Sequence, residues 1–135
     1  MPLLVDTGVL YALADRRDSW HKRCVAFIED EPERLLVPVT VLPEVAYLLH
    51  TRLGAAAETA FINALIAREL DVEALKDVDV RRAAAVMERH PELGFVDATL
   101  AAIAERLKLT RIATTDRRHF AGYVPPHRQA FELVP

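Results

Sequence analysis

Four acidic residues of this sequence stand in or directly after apolar segments. Asp6 follows the run Leu-Leu-Val, Glu44 is followed by Val-Ala, and Asp97 lies between Phe-Val and Ala. Asp116 ends the stretch Ile-Ala-Thr-Thr-Asp. Burying a carboxylate costs free energy unless a cation compensates its charge, and no Lys or Arg is adjacent in sequence to the first three acids. A cluster of carboxylate oxygens is typical of Mg²⁺ and Mn²⁺ sites.

Each acid taken alone also has a structural explanation. An Asp after a strand often caps the next helix, and acids in the first turn of a helix are stabilised by the helix dipole. Both explanations stay open at single positions. The apolar neighbours of Asp6, Glu44 and Asp97 favour a functional role for the set.

The elements that must position these acids are predicted from the hydrophobic pattern. Short apolar or alternating runs predict strands, and apolar residues at a spacing of three to four predict amphipathic helices. The predicted strands lie at 3–5, 35–37, 70–74, 111–114 and 131–134. The predicted helices begin near Ser19, at a Thr40 cap, near Gly54, at an Asp79 cap and after Gly94.

Strands that alternate with helices of this length indicate an α/β fold with a central, mostly parallel sheet of four to five strands, flanked by helices. We expect residues 1–135 to form one domain, because the sequence has no linker, repeat or low-complexity tract. Functional crevices of such sheets lie beyond the carboxyl ends of the strands. Asp6 and Asp116 follow predicted strands, so the acids are expected to meet at that end of the sheet.

The segments around the four acids resemble the four acidic motifs of the PIN domain. They read Leu-Val-Asp-Thr-Gly-Val-Leu at 4–10, Val-Leu-Pro-Glu-Val at 41–45, Gly-Phe-Val-Asp-Ala at 94–98 and Thr-Thr-Asp at 114–116. The resemblance covers essentially the whole chain, in the family's order and spacing, with VapC-like toxins of prokaryotic toxin–antitoxin systems as the closest subgroup. One departure is Gly8, where many relatives carry a serine and hence a hydroxyl.

The resemblance implies a PIN-like nuclease domain and an endoribonuclease that depends on Mg²⁺ or Mn²⁺. It also implies a dimer or a toxin–antitoxin hetero-oligomer, with a small cognate antitoxin that holds the enzyme inactive. The predicted catalytic and metal-binding residues are Asp6, Glu44, Asp97 and Asp116. Asp6 and Asp97 are expected to be direct ligands, with Asp116 completing the shell. Glu44 could bind metal, orient water or act as a base, and these roles stay open.

Neighbouring residues extend this prediction. Thr115 is expected to support the site by a hydrogen bond to a ligand carboxylate, and Arg117 and Arg118 are expected to contact phosphates of the RNA substrate. An arginine of the antitoxin would be attracted to the carboxylates, while an amphipathic segment would lie in an apolar groove. Trp20, Phe27 and Tyr47 are candidate groove residues, with a core role as the alternative for each of them.

Other chemistries are disfavoured by spacing. The five histidines, His119 among them, show no metal-ligand spacing and are predicted to be surface or capping residues. Cys24 lies on an apolar helix face and is predicted to be a core residue rather than a nucleophile. Asp-Thr-Gly at 6–8 also occurs in retroviral-type aspartic proteases, but their all-β fold is incompatible with the alanine-rich helical middle of this chain.

Composition bounds the remaining classes. The chain has 135 residues, of which 52% are hydrophobic and 27% charged, as is typical of globular domains. Without an apolar run long enough to span a bilayer, a recognisable leader or a second cysteine, a cytoplasmic location is expected. A net charge of −3 gives no overall signature of nucleic-acid binding. An RNA-processing nuclease without an antitoxin and a non-catalytic PIN-like binding module remain alternatives.

Overall fold

The computed structural model describes residues 1–127 and 130–135. Its strands are β1 Leu3–Val5, β2 Leu35–Pro38, β3 Asp71–Glu73, β4 Arg111–Ala113 and β5 Glu132–Val134. Its helices are α1 Thr7–Ala14, α2 His21–Asp30, α3 Leu42–Leu53, α4 Ala55–Ile66, α5 Asp77–Arg89, α6 Phe95–Leu107 and α7 Arg118–Ala121, with a 3-10 turn at Val39–Val41 before α3.

The five strands form one sheet in the order β3-β2-β1-β4-β5, and every neighbouring pair is parallel. This confirms the predicted α/β class and its mostly parallel sheet. Leu4 in β1 is paired with Leu36 on one side and Ile112 on the other. All three residues of β1 are fully buried, as expected for a central strand that helices cover on both faces.

Helix α1 begins directly after β1 and was not predicted from the sequence. The carboxylate of Asp6 caps it by accepting a hydrogen bond of 2.7 Å from the backbone N–H of Thr7. Its residues 9–12 are all buried, so the helix has no polar face with the usual period. A helix that is apolar on all sides gives no amphipathic signal in the sequence.

Two predicted caps are wrong in detail. The Thr40 hydroxyl does not cap α3 but lies 2.8 Å from the Thr99 hydroxyl on α6, because a 3-10 turn precedes α3. Helix α5 begins at Asp77, two residues before the predicted cap. Asp79 lies instead in the first turn, where its carboxylate accepts a hydrogen bond of 2.9 Å from the backbone N–H of Lys76.

Helices α5 and α6 are joined by a partly buried ion-pair network. Arg106 on α6 donates to both carboxylate oxygens of Asp79, at 2.8 and 3.0 Å, and to Glu73 of β3 at 3.1 Å. Farther along the same helices, Arg82 lies 2.6 Å from Glu105. Each carboxylate of this network therefore faces a guanidinium.

The core lies on both sides of the sheet. Cys24 is fully buried in it, as predicted. In α6 every residue from Ala98 to Ala104 is buried, which fixes this helix against the sheet and holds its first turn at the sheet's carboxyl end. Among residues 1–127 and 130–135, no helix is both long and apolar enough to cross a membrane.

Candidate active site

A cleft of about 500 Å³ opens at the carboxyl ends of β1 and β4. Asp6, Glu44, Asp97 and Asp116 all line it. The prediction that the four acids meet at one end of the sheet therefore agrees with the structure. The other lining residues are Thr7, Gly8, Gly94, Phe95, Val96, Thr115 and His119.

Asp6 is the most enclosed of the four acids, with 8% of its surface exposed. One carboxylate oxygen accepts the backbone N–H of Thr7, and the other accepts the Thr114 hydroxyl at 3.0 Å. Burial raises the pKa of Asp6 to about 6, and the charges of Asp97 and Glu44 add to that rise against the two hydrogen bonds. The site therefore holds this carboxylate at an energetic cost.

Glu44 reaches the cleft from the first turn of α3, where Pro43 occupies a position that tolerates a missing N–H. Its carboxylate accepts a hydrogen bond of 2.5 Å from the Thr7 hydroxyl. Thr7 thus contacts two acids, Asp6 through its backbone and Glu44 through its side chain. Glu44 remains exposed to solvent, so it lies at the rim rather than at the base of the cleft.

Asp97 and Asp116 are connected by His119, a residue that sequence reasoning assigned to the surface. The His119 Nδ1 lies 2.6 Å from Asp97, and its Nε2 lies 3.4 Å from Asp116. Burial raises the pKa of Asp97 against the opposing effect of His119, and the charges of Asp116 and Glu44 raise it further. His119 lies three residues after Asp116 on α7, and that spacing was the signal available in the sequence.

The adjacent residues Thr114 and Thr115 make different contacts in the cleft. The hydroxyl that bonds the Asp6 carboxylate belongs to Thr114, and it also lies 3.2 Å from the backbone N–H of Asp116. No such bond joins Thr115 to a carboxylate within residues 1–127 and 130–135. Thr115 instead packs against Gly8, so sequence reasoning chose the neighbour of the residue that supports Asp6.

Arg117 and Arg118 lie beside the cleft without lining it. Arg118 is highly exposed, with its Nε 3.3 Å from an Asp116 oxygen. Arg117 donates to the backbone carbonyl of Pro135, and its guanidinium lies 6.0 Å from the centre of the Trp20 ring. Their predicted contacts with RNA stay predictions.

The lining of the cleft has the donor set that Mg²⁺ and Mn²⁺ require. Four carboxylates line it, and none of its described lining residues is Lys or Arg. In the part of the chain that the structure describes, no three acidic, His or Cys side chains are arranged to hold a metal ion as they stand. Each acid is engaged elsewhere, because Thr114 holds Asp6, Thr7 holds Glu44, and His119 lies between the other two. The oxygen donors of the cleft therefore fit Mg²⁺ or Mn²⁺. If His119 moved away, the carboxylates of Asp97 and Asp116 would become available to the metal.

A second concavity, of about 510 Å³, is an apolar groove between α1 and α4. We call it the apolar groove, and its larger apolar lining residues are Leu10, Leu13, Ile28, Leu35, Leu49, Phe61 and Leu70. Trp20, Phe27 and Tyr47, the candidates from the sequence, are not in its lining. Trp20 and Phe27 instead pack against the core, and Tyr47 is exposed on α3.

Comparison with known proteins adds an independent observation. The family model for the PIN domain matches residues 3–123. Ribonuclease VapC26 of Mycobacterium tuberculosis is 27% identical over 135 residues, which cover 98% of this chain and 100% of that protein.

Solved structures give the same result for the fold. VapC20 of Mycobacterium tuberculosis, described as a toxin that cleaves the sarcin-ricin loop, superposes with a TM-score of 0.82. It is 26% identical, over 90% of this chain and 96% of that one. A toxin–antitoxin complex from Klebsiella pneumoniae matches with a TM-score of 0.75 at 20% identity, over 98% of this chain and 96% of that one, and so shows the shared fold.

Proposed function

Because this chain belongs to the PIN domain family, we propose that it is a metal-dependent endoribonuclease and the toxin of a type II toxin–antitoxin system. The observation that carries the proposal is the convergence of the four motif acids on one cleft, whose lining within residues 1–127 and 130–135 contains no Lys or Arg. A structural cluster of acids would be neutralised by cations of the protein, as Arg106 does for Asp79. Residues 1–135 would then act as one nuclease domain.

In this proposal Asp6 and Asp97 hold Mg²⁺ or Mn²⁺ directly, and Asp116 completes the set of ligands. When bound, the metal would activate a water molecule and neutralise charge on the scissile phosphate. Thr114 and the backbone N–H of Thr7 fix both oxygens of Asp6. Glu44, held by Thr7 at the rim, is placed to orient a water molecule or to accept a proton from it.

Arg117 and Arg118 would contact phosphates of the RNA outside the cleft. Arg118 is exposed beside Asp116, so it can turn from that carboxylate to a phosphate without loss of packing. An exposed ion pair of this kind contributes little to stability. Because the chain's overall charge is −3, the attraction for RNA would come from these local groups rather than from the whole surface.

The partner in this proposal is a small antitoxin. The apolar groove fits one apolar face of a helix, and a structural neighbour is a toxin–antitoxin complex. An arginine of the antitoxin would pair with the carboxylates of the acidic cleft. We further propose a homodimer or a toxin–antitoxin hetero-oligomer, located in the cytoplasm.

RNA cleavage tests the enzymatic part. The purified chain should cut total cellular RNA with added Mn²⁺ and should stop when EDTA is in excess. The substitution Asp97→Asn should lower the cleavage rate at least about 100-fold while circular dichroism stays unchanged. Asp30→Asn, at an exposed position at the end of α2, is the matched control and should retain full activity. Full cleavage in excess EDTA would refute the metal dependence.

Co-expression tests the partner. Expression of the chain alone should slow growth, and co-expression with the product of the adjacent short reading frame should restore it. The two proteins should then elute together in gel filtration. An active nuclease that does not slow growth and does not bind this product would favour the RNA-processing nuclease. A folded chain that binds RNA without cutting it would favour the non-catalytic module.

A further inference from the structure

Gly8 and Thr115 both line the acidic cleft and are in unusually close contact. A Cβ atom placed on Gly8 would lie 2.1 Å from the Thr115 hydroxyl oxygen and 3.3 Å from its Cβ. A side chain at position 8 is therefore compatible only with a different Thr115 rotamer. The space that a serine at position 8 would occupy is taken by the hydroxyl of Thr115.

The Thr115 hydroxyl is uncommitted, unlike the other side-chain donors of the cleft lining. Thr7 donates to Glu44, and His119 is engaged with Asp97. For Thr115 the described residues offer no hydrogen-bond partner. A hydroxyl that lines a cleft without a partner is available to a ligand atom.

The chemistry of the cleft defines what that atom is. Ionised carboxylates are acceptors only, so the four acids cannot donate to a phosphodiester and repel its charge. A phosphate oxygen is itself an acceptor, so a hydrogen-bond donor in the cleft would stabilise its charge in addition to a metal ion. Resting on the proposed function, we propose that the Thr115 hydroxyl donates a hydrogen bond to a non-bridging oxygen of the scissile phosphate.

Gly8 has a defined role in this arrangement. Its missing side chain allows the Thr115 hydroxyl to lie in the cleft, between α1 and the turn after β4. The glycine and the threonine thus form a pair, in which the hydroxyl reaches the cleft from position 115 rather than from position 8. Thr115 is a substrate-contacting residue, and Gly8 acts through it.

Substitutions at Thr115 test the proposal. The probe is a short oligoribonucleotide that spans a cut mapped in the digest of cellular RNA. Thr115→Val keeps the shape and removes the hydroxyl, so its kcat/KM should fall about 10- to 100-fold, the effect of one hydrogen bond to a charged group. Thr115→Ser keeps the hydroxyl and should stay within about threefold of the wild type. Thr51→Val, on the exposed face of α3, is the control and should not change the rate.

Two further measurements separate contact from folding. Calorimetry should show the same Mn²⁺ affinity for Thr115→Val and the wild type, since Thr115 holds no metal. With sulfur in place of one non-bridging oxygen, the loss caused by Thr115→Val should shrink to less than about threefold for one diastereomer, because sulfur accepts hydrogen bonds poorly. Gly8→Ala, which displaces the hydroxyl without removing it, should lose activity to a similar extent.

Two results would overturn the proposal while the proposed function stands. One is a Thr115→Val variant as active as the wild type, and the other is an undiminished Thr115→Val loss with both sulfur diastereomers. A wild-type chain that cuts no RNA would overturn the proposed function and this contact together.

Discussion

Asp6 and Asp79 are both buried carboxylates at the start of a helix, with 8% and 1% of their surfaces exposed. Burial opposes the ionisation of Asp79, but the Arg106 guanidinium and the backbone N–H of Lys76 outweigh it and lower its pKa. Burial of Asp6 is not outweighed, and its pKa is raised to about 6. Burial near the start of a helix thus raises the pKa of Asp6, whereas the partners of Asp79 lower its pKa.

The opposite pKa shifts of the two acids follow from the presence or absence of a cation beside the carboxylate. The α5–α6 network gives its carboxylates guanidinium partners at 2.6 to 3.1 Å, whereas the described lining of the acidic cleft contains no Lys or Arg. A paired buried acid fixes one arrangement of the helices. A buried acid without a cation beside it holds its charge at a cost in stability, and perturbed acids in a cleft are typical of functional sites.

Removal of the Arg106 guanidinium should change the free energy of unfolding more than any other substitution in the two regions. Arg106→Met leaves Asp79 buried without its partner, so the free energy of unfolding should fall by about 3–5 kcal/mol. Urea denaturation followed by circular dichroism measures it. Arg16→Met, at an exposed position in the loop after α1, should change it by less than about 0.5 kcal/mol. Equal losses for the two variants would mean that the network does not stabilise the fold.

Replacement of Asp by Asn should change the free energy of unfolding in opposite directions in the two regions. Asp6→Asn removes a charge that the metal-free chain holds at a cost, so it should raise the free energy of unfolding by up to about 3 kcal/mol at pH 7. Asp79→Asn removes a paired charge and should lower it. Thermal unfolding in EDTA gives both values. Destabilisation by Asp6→Asn would show that the hydrogen bonds to its carboxylate outweigh the burial.

The pH dependence sharpens the same contrast. The folded-state pKa of Asp6, about 6, lies above its ordinary value of 3.8, so protonation favours the folded state. Stability should therefore rise as the pH falls from 7, by about 1.4 kcal/mol at pH 5 relative to Asp6→Asn. The lowered pKa of Asp79 acts the other way, and its contribution should be lost below about pH 4. Chemical denaturation in EDTA across pH 3–8 checks both; a wild type that follows Asp6→Asn at all pH values would contradict the first.

The smallest effect is expected at His119, whose side chain is 40% exposed. His119→Ala removes the group that engages Asp97 and Asp116, so Mn²⁺ should bind more tightly, by up to about fivefold. Calorimetry of the metal-free chain measures this directly. His90→Ala, paired with Glu92 away from the cleft, should not change the affinity. Weaker binding by His119→Ala would mean that the histidine helps to hold the metal.

Elements of secondary structure could be predicted from the sequence where they depend on local periodicity and residue type. All five strands were placed within one or two residues, because short apolar runs bounded by polar residues mark them. The acids Asp6 and Asp116 were expected together, since parallel strands end at one edge. Helix α1 was missed because burial on all sides removes its period, and the strand order β3-β2-β1-β4-β5 depends on pairing between distant segments.

Within the site, the predictions for Thr115 and His119 were wrong because the contacts of a side chain depend on the direction in which it points. Thr114 and Thr115 are adjacent and chemically identical, and only the turn after β4 decides that Thr114 reaches Asp6. His119 lies three residues after Asp116, but its closer partner is Asp97, 22 positions earlier in the chain. Contacts of this kind are set by tertiary structure, which residue spacing does not record.

The hydrogen bond from Thr114 to Asp6 joins residues 108 positions apart in the chain. At a synthesis rate of about 5–20 residues per second, the ribosome needs about 5 to 20 seconds between making the two residues. Strand β1 can pair with β2 during that interval, but its second edge and the cleft stay incomplete until β4 emerges. A nascent chain therefore has no assembled set of acids for most of its synthesis, and assembly of that set becomes one of the last events in its maturation.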